Sequence, residues 1–548
     1  MNNSKKYDYI IIGGGSAGSV LAARLSAHRE INVCLLEAGS GDNTPRIQTP
    51  AGTITLYKSK KFSWNFWSVP QAHLGGRQLH VPRGKALGGS SSMNSMIYIR
   101  GLPADYDRWR DAGCAGWGWD DVLPWFKYSE NNQLGQDPAY HGFTGELLVD
   151  KPRDPNPAST LFVNAGKRTG LAENRDFNGA SLAGVGIYNV TQKNGQRLSS
   201  YRAFLHPHRH RSNLTIRTDC EVQRLIIEGD VVKGVEITTG DGKQRVTLQA
   251  EKEVVLCAGA IGSPHLLMKS GIGPQETLRN AGFEVKHHLP GVGQNLQDHL
   301  DGLVTIRSAS PLTLGFSLAA WKPVLSAPLK YLFGRKGWLT TNYVEAGGFA
   351  STPLSPSVPD IQFHFVPGYR SHRGRLFEWG HGYAIHTCVL RPQSVGSLGL
   401  SRDGKVIVDF NFLSNPHDAD VLVEGIKTAR RILAQPEFAA IRGKEMLPGA
   451  QVQSDEQLHQ YVKDYCATVF HPAGTCKMGN DAMSVVDPQT LKVYGLQNLR
   501  VADVSIMPTL ISGNTNAPAI MIGERAAAMM LNGSGATQPS GAEENHIV

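Results

Sequence analysis

The chain has no Cys-x-x-Cys pair, no run of five basic residues and no apolar stretch approaching the ~18 residues of a membrane-spanning helix. Its seven cysteines, Cys34, Cys114, Cys220, Cys257, Cys388, Cys466 and Cys476, are odd in number and widely spread. That excludes a disulfide framework and a zinc site, and fits a reducing, cytoplasmic setting with no metal. The formal charge of +8, from 55 Lys and Arg against 47 Asp and Glu, is scattered rather than gathered into a stripe, so no nucleic-acid partner is expected. The opening Lys5-Lys6 resembles the charged start of a signal peptide. The apolar run Tyr9 to Ile12 is too short for one and leads straight into glycine, so a strand is expected instead.

What is abundant is glycine, at 60 residues, together with 30 prolines, which implies many turns in a chain otherwise ordinary at 41% hydrophobic and 19% charged. A length of 548 residues allows roughly two to four domains or one large two-part enzyme. Residues 8–12 read as a buried parallel strand, the stretch from Ser19 as a helix, and Val33 to Glu37 as a second strand, which makes a βαβ unit. The turn between strand and helix, Gly13-Gly14-Gly15-Ser16-Ala17-Gly18, fits Gly-x-Gly-x-x-Gly, where bare amides and a helix N-terminus meet a pyrophosphate. Glu37, 19 residues after Gly18, is placed for a ribose hydroxyl and would repel a 2′-phosphate. The pattern does not separate FAD from NAD. A second glycine-rich block runs from Gly84 to Asn94 and reads equally as a tight loop or as the cradle of a larger cofactor.

Further along, residues 213–256 read as an antiparallel excursion, with short helices near Asp105 and Trp119, a strand at Ile361 to Val366 and a helix from Asp418 to Ala434. The tail beyond Asn532 is polar and glycine-rich and is expected to be disordered. Residues 316–333 mix apolar side chains with Lys322 and Lys330; they suit either a lid or a membrane-surface patch, and the prolines are expected to interrupt any continuous helix there.

Five blocks, taken in order, resemble the glucose–methanol–choline oxidoreductase family: Gly84 to Gly101, Gly259 to Gly273, Pro290 to His299, His471 to Gly479, and Leu499 to Asp503. The resemblance implies a mixed α/β fold. Its Rossmann-like FAD-binding domain would be assembled from residues 1–155, 201–300 and 466–532. A substrate domain with an antiparallel sheet flanked by helices would come from 156–200 and 301–465, followed by a tail at 533–548. It implies FAD contacts from Gly13, Gly15, Ser16, Ala17, Gly18, Glu37, Ala38, Gly84, Leu87, Gly89, Ser90, Asn94, Ser95, Met96, Val222, Ala258, Asp503 and Asn516. In relatives with a histidyl–flavin bond a His precedes the Asn; here that position is Met93, so non-covalent FAD is expected.

By the same resemblance His471 faces the flavin N5 and takes the alcohol's proton, and Asn516 donates to the substrate oxygen, while Asn514 reads as a helix N-cap. The reaction implied is oxidation of a primary alcohol to an aldehyde, with electrons passed to a quinone or other carrier. Choline dehydrogenation, an oxidase using O₂ and a flavin-retaining hydroxynitrile lyase are the alternatives. Glu345 can pair with a cationic substrate or be structural. The setting implied is cytoplasmic, with peripheral contact at the inner membrane face left open, as is the oligomeric state.

Overall fold

The computed structural model describes residues 6–239, 244–369 and 379–533. The polar tail lies outside the described residues from 534 onward. The fold is mixed α/β, with two large sheets. The first has the order Leu214–Arg217, Val33–Leu36, Lys6–Ile12, Gln244–Leu256, Val231–Thr239, Cys220–Glu228, with Leu499–Val501 also on the Gln244–Leu256 strand. Its central strands are parallel, and Ile12 aligns with both Leu36 and Leu256, so three strands end at one level. Ile10, Ile11, Val33 and Leu35 are fully buried, as strands covered on both faces require. The antiparallel excursion is narrower than the sequence suggests. Only the strands 220–228, 231–239 and the first half of 244–256 pair antiparallel, whereas Leu214–Arg217 runs parallel to Val33–Leu36. A βαβ-type partner lies far away in sequence, so alternating hydrophobicity alone misreads its direction.

The second sheet is antiparallel, in the order Lys444–Leu447, Leu300–Ser308, His381–Val389, Ile361–Val366, Ala346–Ala350, Gly184–Ile187. The helix Pro416–Leu433 covers it. Asn415 caps that helix by accepting from His417 N at 3.0 Å, and Ile426 packs against Gly302. The helix Pro157–Arg168 lies beside it, with Phe162 stacked on Phe365 at 5.0 Å. Ala467–Thr468 pairs with Leu300 and Asp301 and so brings the segment around His471 to the edge of this sheet. Among the described residues no helix is long and apolar enough to cross a membrane.

One element departs from the sequence reading. Trp321–Gly334 is a continuous helix despite its prolines. Pro323 sits in the first turn, where no intrahelical donor is needed, and Pro328 forfeits one backbone bond without breaking the helix.

Candidate functional site

The carboxyl ends of the parallel strands open onto a cavity of about 1440 Å³ that extends to the second sheet. The turn after Lys6–Ile12 is tight enough that a Cβ on Gly18 would sit 2.0 Å from the Gly13 carbonyl oxygen. The second glycine block closes on the first: a Cβ on Gly89, whose φ is +53°, would meet Gly15 Cα at 2.8 Å, and Gly88 N donates to Gly14 O at 2.7 Å. Two bare backbones thus share one wall, over the start of the helix Ser16–Leu25, whose first-turn amides lack intrahelical acceptors. Glu37 accepts from Gly14 N at 2.9 Å and Gly39 N at 2.8 Å, and burial pushes its carboxyl up to about 7. Across the cavity Asp503 accepts from Gly259 N at 2.8 Å and from Ser263 Oγ at 2.6 Å, tying the Leu499–Val501 strand end to the start of the helix Gly259–Lys269.

A second cluster lies where the two sheets meet. His471 is held by its backbone N–H, which donates to Asp298 Oδ1 at 2.8 Å; Asp298 also accepts from Thr468 Oγ1. His471 Nδ1 is 3.0 Å from His299 Nδ1, and its Nε2 is 3.1 Å from Asn514 Nδ2. The other nitrogen of His299 faces two carbonyls, Leu390 O at 3.1 Å and Ile511 O at 3.0 Å, so His299 carries its proton on Nε2 and offers a lone pair at Nδ1. His471 therefore donates from Nδ1 and keeps its lone pair on Nε2. The other side gives the same answer. Tyr188 donates to Phe363 O at 2.6 Å, leaving Gln362 Nε2 to donate to Tyr188 Oη at 3.3 Å and to Asn514 Oδ1 at 3.1 Å, which turns the Asn514 NH₂ toward His471. Burial holds His471 well below the usual imidazole range, followed by its neighbours His299, His364 and Arg83. The same burial lowers His299 to about 4 and His364 to about 3. The cluster is a set of neutral rings in which the His471 Nε2 lone pair accepts from the Asn514 N–H on the cavity wall.

Residues 7–301 and 392–523 match two family models, each described as GMC oxidoreductase. The chain belongs to the GMC oxidoreductase family. This GMC oxidoreductase is 45% identical over 528 residues to alcohol dehydrogenase (acceptor) of Pseudomonas putida, covering 96% of each chain. It is 41% identical over 536 residues to oxygen-dependent choline dehydrogenase of Pseudomonas savastanoi pv. phaseolicola, covering 96% of this chain and 94% of that one. Among solved structures it is similar to pyridoxine 4-oxidase from Mesorbium loti, with a TM-score of 0.84 and 32% identity over 95% of this chain and 98% of that one.

Of the residues singled out from the sequence of this GMC oxidoreductase, Gly13, Gly15, Ser16, Ala17, Glu37, Ala38, Gly84, Gly89, Ser90, Asn94, Ser95, Met96, Val222, Ala258, His471, Asp503 and Asn516 line the cavity. Gly18 and Leu87 are not on its wall: Gly18 packs on the Gly13 carbonyl and Leu87 is buried against Gly14. The structure places the two asparagines differently from the sequence expectation. Asn514 faces His471, whereas Asn516 Oδ1 accepts from Ser16 Oγ at 2.7 Å and opens the helix Asn516–Asn532 beside the glycine turn. Asn514 is no N-cap, because its amide is committed to His471 and Gln362. Asn94 Oδ1 accepts from Met96 N at 3.0 Å and from the buried Arg197 at 2.9 Å, fixing the loop that carries Ser95. Glu345 lies outside the cavity, buried, and accepts from Asn156 N, Ser159 Oγ and Thr341 Oγ1 at 2.6–2.9 Å, which makes it structural. His299, inside a quoted motif but given no role, and His364, Gln362 and Tyr188 had no sequence signal of their own.

Proposed function

We propose that this GMC oxidoreductase oxidises uncharged primary alcohols to aldehydes, using non-covalently held FAD, and passes the electrons to a quinone or other carrier. The observation that carries the reading is the acceptor–donor pair of His471 Nε2 and the Asn514 NH₂, 3.1 Å apart, in a cavity that also reaches the glycine turn. The residues present fit FAD. The turn Gly13–Gly18 with Gly89 at its side leaves room for backbone against a pyrophosphate, Glu37 stands at the ribose position, and Asp503 and Asn516 border the same cleft. Met93, which lines the cavity, has no nitrogen with which to bond a flavin. When bound, FAD supplies the acceptor for the hydride that leaves the alcohol's α-carbon.

The chain's own groups do the rest. An alcohol entering here replaces the direct His471–Asn514 hydrogen bond: it donates its hydroxyl proton to Nε2 and accepts from the asparagine N–H, which strengthens as the oxygen gains negative charge. The C–H electrons depart as hydride, the C=O forms, and the proton stays on the imidazole until it is released. Aliphatic substrates are favoured by the apolar part of the wall, including Leu303, Leu314, Phe316, Val324 and Leu339. The two sheets are read as cofactor and substrate domains, with the segment boundaries given above.

The test is anaerobic reduction of the purified flavoprotein by a panel of aliphatic, aromatic and cationic alcohols. His471→Ala slows that reduction by ~10² or more with flavin still bound. An unchanged rate removes His471 from the mechanism, and a flavin that no alcohol bleaches leaves the lyase reading in its place. Peroxide formation compared with quinone reduction identifies the acceptor.

A further inference from the structure

Most of the highly exposed large apolar side chains among the described residues sit on the helix Trp321–Gly334 and on the short turn Leu318–Ala320 that leads into it. Phe333 is 82% exposed, Leu318 81%, Leu325 67%, Leu332 66% and Leu329 60%, with Trp321 at 55%. Leu325 and Leu329 are four apart and share a face of the helix Trp321–Gly334 with Trp321. The opposite face turns inward: Ala327 and Tyr331 are buried, and Val324, Ala327 and Pro328 line the active-site cavity. Trp379, 64% exposed, adjoins the patch through its bridge to Phe316. Leucines in water at such density are unfavourable for a chain that keeps its other surfaces polar.

Charge says what covers the patch. From Gly302 to Val344 the sequence contains no Asp or Glu, while Lys322, Lys330, Arg335 and Lys336 stand on or just beyond the helix. The helix is 14 residues long, about 21 Å at 1.5 Å per residue, which is short of the ~30 Å hydrocarbon core. An apolar face whose fringe carries four cations, with one carboxylate, Asp154, accepting from Gly337 N at 2.7 Å, suits the plane of a headgroup layer. A two-fold contact with a second copy would instead set the same cations against one another.

We propose that the helix Trp321–Gly334 is an interfacial anchor that seats this face on a bilayer containing anionic lipid, so that one wall of the active-site cavity is the membrane-facing element. Leu318, Trp321, Leu325, Leu329 and Phe333 enter the acyl boundary, and the lysines contact lipid phosphates. Docking is independent of the reaction proposed above; only its benefit, direct entry of an alcohol that partitions into lipid, rests on that reading.

The test is flotation of the flavin-loaded enzyme with vesicles of phosphatidylcholine alone or with three parts in ten phosphatidylglycerol. Partition onto the anionic vesicles is expected to exceed that onto neutral ones by about tenfold or more at low salt. Leu325→Gln/Leu329→Gln and, separately, Leu332→Gln/Phe333→Gln lower it by about tenfold or more. Lys322→Gln/Lys330→Gln lowers it by about tenfold and weakens the salt dependence, the remainder resting on Arg335 and Lys336. Both leucine-face variants keep their flavin and their rate with a short, water-soluble alcohol. Failure of the wild-type holoenzyme to float with either vesicle overturns the anchor even if alcohol oxidation stands. So does a sedimentation-detected dimer that the same leucine substitutions abolish, which would assign the face to a second copy.

Discussion

Changing His299 to glutamine, and separately to asparagine, splits the two jobs of its ring. Asparagine can place an amide oxygen where Nδ1 now accepts from His471, 3.0 Å away, whereas glutamine reaches instead toward Leu390 O and Ile511 O, the partners of Nε2. Without an acceptor, the His471 Nδ1–H becomes a buried orphan donor, at a cost of about 1–3 kcal/mol. The ring escapes that cost by moving its proton to Nε2, which removes the lone pair. On the proposed reaction either outcome slows the proton step by about 5- to 150-fold. Single-turnover anaerobic stopped-flow with a saturating aliphatic alcohol measures this directly. His299→Gln is expected to lose about a hundredfold and His299→Asn less than about tenfold, both with full flavin content. A purely structural role would not distinguish the two amides. Equal rates for both variants, or a glutamine variant within about threefold of wild type, refute the tautomer argument.

Three further outcomes follow from the same geometry. Asn514→Ala slows flavin reduction by ~10²–10³ as an oxygen-stabilising donor is lost, whereas Asn516→Ala, which breaks the contact with Ser16, weakens flavin retention and leaves reduction by alcohol within about threefold, as read from bound flavin and rate. His364, lowered to about 3 by burial, binds fewer protons folded than unfolded, so its contribution is full above pH ~6.5 and is lost as pH falls toward 3. Glu37 and Asp298, both raised to about 7, act in the opposite sense, losing stability as pH rises toward 7, so the effect is read as a difference. In urea unfolding, wild type loses about 3 kcal/mol more than His364→Gln between pH 6.5 and 4, and parallel curves would contradict it. Choline has a kcat/KM about 100-fold or more below that of octanol, because Glu345 is walled off and Asp301, on the cavity, is already paired with His386 at 2.6 Å; equal values would refute an apolar-alcohol site.

The cofactor end of the cavity was legible because its parts are local. Strand, glycine turn, helix and Glu37 fall within one stretch of about thirty residues, and each declares itself by composition. The histidine end was not. His299 and His471 are joined by the pairing of Leu300 with Thr468, a long-range register that no periodicity reveals. Choosing between Asn514 and Asn516 depends on where a helix begins. Asn516 is its first residue and turns to Ser16, while Asn514 lies just outside and turns to His471. Leu87 sat in a motif and was credited with its function, although a motif also contains the residues that merely support it. The helix at 321–334 is continuous because packing of its inner face, with Ala327 and Tyr331 buried, outweighs the one bond lost at Pro328, and a local proline rule does not see that packing.

Other histidines show what the central cluster avoids. His386 lies 2.6 Å from Asp301, while His459 pairs with Asp420 and His141 with Glu130 and Asp176, and in these last two the carboxylates outweigh burial and raise the ring above the usual imidazole range. His471 has instead a neutral imidazole at Nδ1, and its own carboxylate neighbour, Asp298, holds its backbone rather than its ring. A carboxylate at Nδ1 would make His471 a stronger base, ready to hold a proton from solvent before any alcohol arrives. A neutral partner leaves it a weak base at a buried position, where an imidazolium is unfavourable until negative charge develops beside it. On the proposed reaction that charge develops on the alcohol oxygen as its proton leaves and is carried off with the hydride, so proton loss and hydride loss are energetically tied. The preference for a neutral ring is thereby also a preference for alcohols as substrates, since only a group that releases both can relieve the charge it creates.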